Sequence, residues 1–442
     1  MKWMAPETRS RRLVIGVGIY LACLLVYALL AGDRLTTHTP YNHFALLADA
    51  WLHGRHDLAG GPPVYSGNND FALFEGKTYI SFPPFPAMLV LPLVWLAGTP
   101  ENFRDGQFFV WLAPICPAVM WLVFEKLRRT GRTERTEREN IQLALLLAFG
   151  TVYFFASVQG TVWYAAEVVA MDLGALFILF ALDAERPILA GAMLGALFLT
   201  RPPMLLFGFL LAFEAIRVSY KEPSDDPKLP RDTDWKRVFD VLFWGALPAL
   251  AGVAFAAWWN HERFHTWNPS NMGHEYLTVG WAPRIKKWGL MNYHFLPRNL
   301  SVMFASLPWP PPPGPRPPGS APFLISGHGL ALWFTTPLYL WLFRPARVTW
   351  LWLGCLAAAA FPIAADLLYQ NSGWFTFGYR FSNDFAVLLF VMLAVSVRRF
   401  GRLFWACAIW ALCWNLFGAI SFERQSWSQF YSHDPSAYFP PD

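Results

Sequence analysis

The strongest constraint in this sequence is a series of apolar runs that recurs along almost its whole length. About eleven runs approach the roughly 20 residues that a helix needs to cross a bilayer. Only 15% of the 442 residues are charged, against about 25% in soluble domains. This composition excludes a disordered chain and a soluble enzyme. We therefore predict an all-α polytopic membrane protein. Its predicted spans are 13–32, 107–126, 141–158, 162–182, 188–200, 203–217, 239–259, 329–343, 348–368, 381–397 and 403–420.

The distribution of basic residues predicts the orientation of these spans. The first run follows four basic residues, from Lys2 to Arg12, and no small-residue cleavage site follows it. We therefore expect an uncleaved span rather than a signal peptide, with a cytoplasmic N-terminus. Segment 126–140 carries six basic residues and is also expected to be cytoplasmic, so we interpret 82–98 as an interfacial or re-entrant helix. With this topology, 22 of the 35 Lys and Arg residues lie on the cytoplasmic side of the plasma membrane.

The chain is predicted to form a single integral-membrane domain over 1–442. Two long loops, 33–106 and 260–328, are expected on the outer face, and 217–238 is expected to be a cytoplasmic linker. Loops of this length are uncommon unless they carry function. All ten histidines fall in the predicted outside segments. The Pro-rich stretch 307–319 is typical of a stiff polyproline II spacer or rim.

The first outside loop contains the richest set of polar residues. Its segment 41–54 has helical periodicity and a terminal glycine, which predicts a short helix. We expect apolar side chains such as Phe44 to lie on the membrane surface, with Asp49 and His53 on the opposite side. Farther along, Asp70 precedes the proline-started segment. Such acids can act as general bases for an acceptor hydroxyl, or they can be ordinary solvated loop residues.

Ionisable residues at span ends are a second indication of function. Glu167 and Asp172 lie inside a predicted span, Arg201 lies between two short spans, and Arg380 and Asp384 open a later one. A charge within a span costs about 2.5–3.5 kcal/mol on insertion scales, so it usually faces a partner or a polar cavity. We expect Arg201 to meet Glu167, Asp172 or a ligand phosphate, which its planar fork suits. The structural alternative is a set of ion pairs.

Two other classes of function are kept as alternatives. Residues 261–265 match H-E-x-x-H, the helical signature of zinc proteases, with His274 or Glu275 as a third ligand. The longer form of that motif is absent. A transporter or lipid flippase would be expected to contain internal repeats, and we find none in the sequence.

Several segments, taken in order, resemble the polytopic type C glycosyltransferase superfamily, which includes lipid-A aminoarabinose transferases and protein O-mannosyltransferases. A short helix in the first outside loop ends in Leu-His-Gly at 52–54, and a proline-started segment follows at 76–86. Residues 190–202 resemble the family's "G-x-x-x-G-x-x-x-x-T-[KR]" helix. Three further segments are similar to bacterial members of unassigned specificity: 260–264, 296–300 and 378–380.

The resemblance implies an inverting transfer on the outer face of the membrane. A polyprenyl-phosphate sugar would enter from the surrounding lipid, and a carboxylate of the first loop would deprotonate the acceptor, a glycan, lipid or protein. Basic residues would hold the leaving phosphate. No nucleotide sugar is implied. We expect no cofactor, a divalent metal being left open. The diffuse formal charge of +5 also argues against a nucleic-acid partner.

This sequence departs from the family pattern at two places. Residues 38–41 stand where related enzymes have an acid, and Phe82 stands where a basic residue often precedes the two prolines. The base is therefore chosen from Asp70 and then Asp49, with Asp33 or His38 as further candidates. The residues expected to bind substrate or its phosphate are Arg201, Arg380, Lys77, Glu167 and Tyr164.

Overall fold

The protein is a mainly helical bundle with two small two-stranded sheets that the sequence did not predict. The computed structural model describes residues 8–67, 69–220, 232–311, 313–315, 319–396 and 399–433. Within them, six helical segments are long and apolar enough to cross a membrane: Arg9–Leu35, Asp105–Arg129, Val162–Ala184, Trp235–Phe264, Trp350–Leu368 and Arg402–Ser421. Four shorter apolar helices accompany them. The total of about eleven spans stays a prediction.

The helices that we number in chain order are α1 Arg9–Ala31, α2 His43–Leu52, α3 Phe85–Ala97, α4 Asp105–Leu112, α5 Ile115–Arg129, α6 Glu137–Phe149, α7 Tyr153–Ser157, α8 Val162–Ala181, α9 Pro187–Phe198, α10 Gly208–Val218, α11 Trp235–Phe264, α12 Ala282–Trp288, α13 Leu296–Ala305, α14 Leu332–Thr335, α15 Trp350–Leu368, α16 Ala386–Val395 and α17 Arg402–Ser421. The strands are β1 Phe71–Phe74, β2 Lys77–Ile80, β3 Ile325–Ser326 and β4 Tyr431–Ser432. β1 and β2 form an antiparallel hairpin, and β3 pairs with β4 in parallel.

Several predicted spans are interrupted in the structure. Pro114 separates α4 from α5, because proline has no backbone N–H for the helical ladder. The predicted span 141–158 divides into α6 and α7. The predicted span 329–343 consists of the single turn α14 and a 3₁₀ segment that begins at Pro337. These breaks create helix ends, and the free polar groups at such ends are where ligand sites are commonly built.

The first outside loop folds against the bundle. Its predicted helix is confirmed as α2, which packs along α3, and α3 is a 13-residue helix in the region expected to be interfacial. The expectation that the apolar face of α2 lies on the membrane surface was wrong. Phe44 is 2% exposed and Leu47 is 1% exposed, because α3 and the rest of the bundle cover them.

The contact between α9 and α11 depends on glycine. A Cβ atom at Gly191 would lie 1.9 Å from the carbonyl oxygen of Gly245, and one at Gly195 would lie 2.9 Å from that of Pro248. Small residues at this spacing let two helix backbones approach closely. This contact fixes the end of α9, and therefore the position of Arg201 just beyond it.

Segments that were expected to share one side of the membrane meet at the same end of the bundle. At the end formed by the start of α1, Arg11 pairs with Glu137 at 2.6 Å, and Arg132 pairs with Glu214 at 2.6 Å. The predicted linker continues from here, but its residues 221–231 lie outside the described residues. Which side of a membrane this end faces stays a prediction.

The opposite end of the bundle carries both predicted outside loops. The backbone N–H of Val162, at the start of α8, donates to the carbonyl of Tyr41 at 3.1 Å. The backbone N–H of Asn292 donates to the carbonyl of Leu368, at the end of α15, at 2.8 Å. Residues 312 and 316–318 of the predicted polyproline segment lie outside the described residues.

Candidate functional site

A cavity of about 1290 Å³ lies between the two predicted outside loops and the helix ends at this end of the bundle. Its volume is large enough for a lipid headgroup and part of its chain. Aromatic and aliphatic side chains form much of its wall, among them Phe82, Trp163, Phe198, Leu206 and Trp281. Its charged lining residues are Asp70, Arg201, Arg284, Arg298, Asp366, Arg380, Glu423 and Arg424.

Asp70 is held at the cavity by a constrained turn. Its φ angle is 62°, in the left-handed region that non-glycine residues seldom adopt. The imidazole of His43 donates from Nε2 to the carbonyl of the preceding Asn69 at 2.8 Å, and burial lowers the pKa of His43 to about 4, so the ring is neutral. The indole N–H of Trp163 donates to Asp70 Oδ2 at 2.8 Å. One hydrogen bond therefore holds the carboxylate, and another holds the backbone just before it.

The environment of Asp70 raises its affinity for a proton. Burial raises the pKa of Asp70 to about 6, although the Trp163 hydrogen bond and the positive charge of Arg380 act in the opposite direction. A carboxyl with a pKa close to the working pH is suited to accept a proton from a substrate, because it is ionised at neutral pH and still basic. Among the loop acids weighed from the sequence, Asp70 is the one that lines the cavity.

Arg380 is locked by hydrogen bonds on two sides. Its Nη1 lies 2.6 Å from Glu167 Oε1, and its Nε donates to the carbonyl of Gly373 at 3.0 Å. The other oxygen of Glu167 accepts from Asn383 at 2.9 Å. Glu167 is fully buried behind the cavity and does not line it, whereas Arg380 does. Glu167 therefore positions the guanidinium rather than meeting a ligand.

Arg201 is paired with Asp384 rather than with the partners that were considered. Arg201 Nε donates to both carboxylate oxygens of Asp384, at 2.9 and 3.1 Å, and its Nη2 also contacts that carboxylate. The pairing proposed from the sequence, Arg201 with Glu167 or Asp172, was therefore wrong. Asp172 is not among the residues that line the cavity.

Both ion pairs converge on the 3₁₀ segment Arg380–Asp384, which precedes α16. Each arginine has its charge balanced by one buried carboxylate, so the pairs are neutral as units. Within the part of the chain that the structure describes, Nη1 of Arg201 and Nη2 of Arg380 make no hydrogen bond. Since both side chains line the cavity, these groups can donate to an anionic ligand without breaking the pairs.

Asp366 is a site residue that the sequence analysis missed. It lies in the last turn of α15, lines the cavity and is 4% exposed, yet its Oδ2 has no hydrogen-bond partner. It is a lone acid in a predicted span. The argument that singled out Asp172, the cost of a charge within a membrane, applies equally to Asp366 and would have found it.

The second outside loop supplies two further arginines that were not predicted. Arg284 of α12 and Arg298 of α13 donate to the backbone carbonyl of Gln370, at 3.1 and 2.7 Å. Both line the cavity. Arg298 belongs to segment 296–300, so the resemblance contained a signal for it.

The structure brings together four of the seven predicted site residues at the cavity wall, namely Asp70, Tyr164, Arg201 and Arg380. Tyr164 donates its hydroxyl to the carbonyl of Phe375 at 2.7 Å. Glu167 stands directly behind them.

Asp49 and Lys77 are not brought to the cavity. Asp49 lies on α2, where its Oδ1 is 3.5 Å from Nδ1 of His53, and Lys77 is exposed at the start of β2. The further base candidates Asp33 and His38 do not line it either. The helical periodicity placed Asp49 correctly on the side of α2 that carries His53, but it carried no information about which loop residues face the cavity.

The H-E-x-x-H match lies at the end of a helix rather than within one. α11 ends at Phe264, and His265 has a φ angle of 55°, so its side chain leaves the helical path. The ring of His261 stacks on Trp267 with centroids 4.3 Å apart. Across the described residues, no group of three or more His, Cys, Asp or Glu side chains is arranged to hold a metal ion.

Comparison with known proteins gives a likeness at the level of solved structures alone. No family model matches this chain, and no curated protein matches its sequence. The oligosaccharyltransferase of Archaeoglobus fulgidus in its apo form is similar with a TM-score of 0.41 and 14% identity, over 91% of this chain and 55% of that one. The same enzyme tethered with an acceptor peptide gives a TM-score of 0.45 and 13% identity, over 95% of this chain and 55% of that one.

A third structure is the archaeal oligosaccharyltransferase AglB from Archaeoglobus fulgidus in complex with an inhibitory peptide and a dolichol-phosphate. It is similar with a TM-score of 0.45 and 13% identity, over 94% of this chain and 56% of that one. The chain thus spans little more than half the length of these proteins. A likeness of this size assigns no role to any residue of this chain.

Proposed function

We propose that this protein is a glycosyltransferase that moves a sugar from a polyprenyl-phosphate donor to a hydroxyl of a glycan, lipid or protein. The reaction takes place on the outer face of the plasma membrane, and the sugar is a hexose or a pentose. The observation that carries the proposal is the presence, in one cavity, of a carboxylate with a raised pKa and two arginines whose free N–H groups suit a phosphate.

Asp70 acts as the general base of this reaction. It takes the proton from the acceptor hydroxyl as the hydroxyl oxygen attacks C1 of the sugar, on the face opposite the phosphate. The bond between C1 and the phosphate oxygen breaks, and its electron pair stays with the phosphate. The products are a glycoside of inverted configuration, polyprenyl phosphate and a protonated Asp70, which returns its proton to water.

Arg201 and Arg380 stabilise the leaving group. The phosphate gains one negative charge as its bond to C1 breaks, so a guanidinium aimed at it binds the transition state more strongly than the donor. The ion pairs with Asp384 and Glu167 hold both guanidinium groups in place before substrate arrives. Such preorganisation costs no rearrangement at the moment of reaction.

The mixed wall of the cavity supports an amphiphilic donor. A polyprenyl phosphate combines an apolar chain with a charged headgroup, and the cavity combines side chains such as Phe82, Phe198 and Leu206 with its arginines. A donor that arrives through the membrane needs no nucleotide-binding domain. Besides the donor and the acceptor, the chain is expected to contact the lipids of the surrounding membrane.

The proposal is tested by mass spectrometry of surface glycans, lipids and glycoproteins from a strain that lacks this chain. We expect one sugar to be missing and to return when the wild-type chain is supplied. The Asp70→Asn variant should fail to restore it, while Asp49→Asn, a matched change in the same loop outside the cavity, should restore it fully. Restoration by Asp70→Asn would remove Asp70 as the base.

The alternatives give different results in the same strain. An unchanged set of glycoconjugates, together with lost movement of a lipid across the membrane, would replace the proposal with a flippase. Stoichiometric zinc in the purified protein, lost in His261→Ala, would replace it with a metalloprotease.

A further inference from the structure

We propose that Asp366 and Gln370 form the subsite that binds the hydroxyl groups of the transferred sugar, and that this sugar carries no acidic group. The inference rests on the proposed function, because it names the substrate class that the same cavity selects.

The first observation is the unfilled acceptor capacity of Asp366. A carboxylate has two oxygens that accept hydrogen bonds. Its Oδ2 has no partner, and the residue is 4% exposed at the cavity wall. An unpartnered polar group in such a place is costly, and its cost is removed when a ligand supplies a donor.

A second unfilled acceptor lies in the wall of the same cavity. Gln370 also lines the cavity, is 3% exposed, and its side-chain Oε1 has no hydrogen-bond partner. Its backbone carbonyl is already occupied by the two arginines of the second loop. Gln370 follows Asp366 by four positions, so the two acceptors come from one short stretch of chain.

This stretch is held rigidly. The side-chain amide nitrogen of Asn299 lies 3.2, 3.0 and 2.7 Å from the carbonyl oxygens of Asp366, Leu367 and Tyr369, at the end of α15 and just beyond it, and shares its two N–H groups among them. Asn299 is itself fully buried. A subsite that is fixed before its ligand binds loses little entropy on binding and distinguishes ligands more sharply.

The charges around Asp366 favour a donor of hydrogen bonds without negative charge. The electrostatic neighbours of Asp366 are Arg201, Arg380, Asp384 and Glu167. These four form two ion pairs among themselves, so neither arginine has a full charge left to balance Asp366. A uronic acid placed here would bring its carboxylate into a buried site where both arginines already have a carboxylate partner, so no counterion would offset its desolvation, and an ionised Asp366 would repel it.

The polar groups of the cavity are therefore divided by chemistry. Arg201 and Arg380 offer donors, which suit phosphate oxygens. Asp366 and Gln370 offer acceptors, which suit the O–H groups of a sugar. A lipid phosphate without a sugar would fill the first set and leave the second empty, so the second set selects for the sugar.

The test measures binding of synthetic probes to the purified full chain in lipid nanodiscs. The probes are farnesyl phosphate, its glucosyl, mannosyl, galactosyl and arabinosyl esters, and its glucuronosyl ester. Quenching of tryptophan fluorescence reports binding, since Trp163, Trp281 and Trp374 line the cavity. We expect at least one neutral sugar ester to bind about tenfold or more tightly than farnesyl phosphate. The glucuronosyl ester should show no such gain.

Two variants assign the gain to this subsite. Asp366→Asn keeps the size of the side chain and removes its charge, and Gln370→Leu removes the second acceptor. Each should reduce the gain from the neutral sugar to about threefold or less, while the affinity for farnesyl phosphate stays within about twofold. Asp366→Asn should also improve binding of the glucuronosyl ester. Asp172→Asn, a buried acid away from the cavity, is the matched control and should keep the full gain.

Failure of the inference is distinguishable from failure of the proposed function. If the wild type binds farnesyl phosphate but prefers no neutral sugar ester, or if both variants keep the gain, the sugar subsite is overturned and the lipid-phosphate site stands. If the wild type binds none of the probes, both are overturned. If Asp366→Asn does not fold, Gln370→Leu decides the question.

Discussion

The indole N–H of Trp163 donates to a carboxylate oxygen of Asp70 at 2.8 Å and so joins the start of α8 to the first outside loop. This bond fixes the direction of the carboxylate. It also lowers the pKa of Asp70, against the larger opposing effect of burial. One hydrogen bond thus fixes the direction of the proposed base and limits how far burial raises its pKa.

The rate of sugar transfer is expected to depend on pH through Asp70. Burial raises the pKa of Asp70 to about 6, and a general base must be deprotonated, so the rate should rise with pH and reach a plateau above about pH 7. Trp163→Phe removes the bond that favours the ionised form, so it should move the midpoint to higher pH. The measurement is the initial rate against pH for both proteins. A midpoint near the ordinary aspartate value of about 4 would contradict this prediction.

The same group predicts how stability depends on pH. The pKa of Asp70 is raised in the folded protein, so the folded state binds the proton more tightly than the unfolded state. The contribution of Asp70 to the free energy of unfolding should therefore be largest below about pH 4 and should decrease as the pH rises to about 6. Unfolding of the wild type and Asp70→Asn at several pH values isolates it, because the variant lacks this titration. Parallel pH profiles for the two proteins would show that Asp70 has no raised pKa.

Breaking the buried pair of Glu167 and Arg380 on one side should strongly lower the free energy of unfolding. Glu167→Gln leaves the charge of Arg380 without its carboxylate, and such a loss costs about 3–5 kcal/mol. Lys77→Met, at an exposed position, should change the free energy of unfolding by less than about 0.5 kcal/mol. Denaturant titration in mixed micelles provides the measurement.

A double variant tests the assignment of this pair. Glu167→Met combined with Arg380→Met removes both charges together, so it should lose less stability than the two single changes added. Strict additivity would mean that the two side chains do not interact.

The close approach of α9 to α11 predicts a steric effect of a single methyl group. Gly191→Ala would place a Cβ atom 1.9 Å from the carbonyl oxygen of Gly245, so the helices must separate at a cost of about 1–3 kcal/mol. Gly18→Ala in α1 is the control, because nothing lies within 4 Å of its added Cβ. The temperature of unfolding should fall in the first variant alone. Equal temperatures would argue against this helix contact.

The sequence predicted part of the local structure well, and the pairing of charged side chains poorly. The helix at His43–Leu52 was evident because its apolar periodicity and terminal glycine are local signals. The burial of Phe44 was not evident from the sequence, because an apolar helix face has the same residue pattern whether lipid or protein covers it. Arg201 and Arg380 were recognised as cavity residues because charge near a span end is costly.

The protein partner of Arg201 was assigned wrongly for a physical reason. Arg201 meets Asp384, 183 residues farther along the chain, and Arg380 meets Glu167, 213 residues earlier. Asp384 follows Arg380 by four positions in the sequence, but the three-dimensional packing of α8, α9 and Arg380–Asp384 pairs it with Arg201. A single sequence contains no record of which distant acid faces which arginine.

The two ion pairs can form only late in the synthesis of the protein, because each joins residues that are made far apart in time. Glu167 and Arg201 leave the ribosome well before Arg380 and Asp384, and the members of the closer pair are 183 positions apart. At about 5–20 residues per second, that interval lasts about 10–40 seconds. During it, two charged side chains at the edge of the membrane lack the counterions that the finished fold gives them. The nascent chain must therefore keep them in contact with water or the insertion machinery, and its first two hundred residues cannot complete this cavity alone.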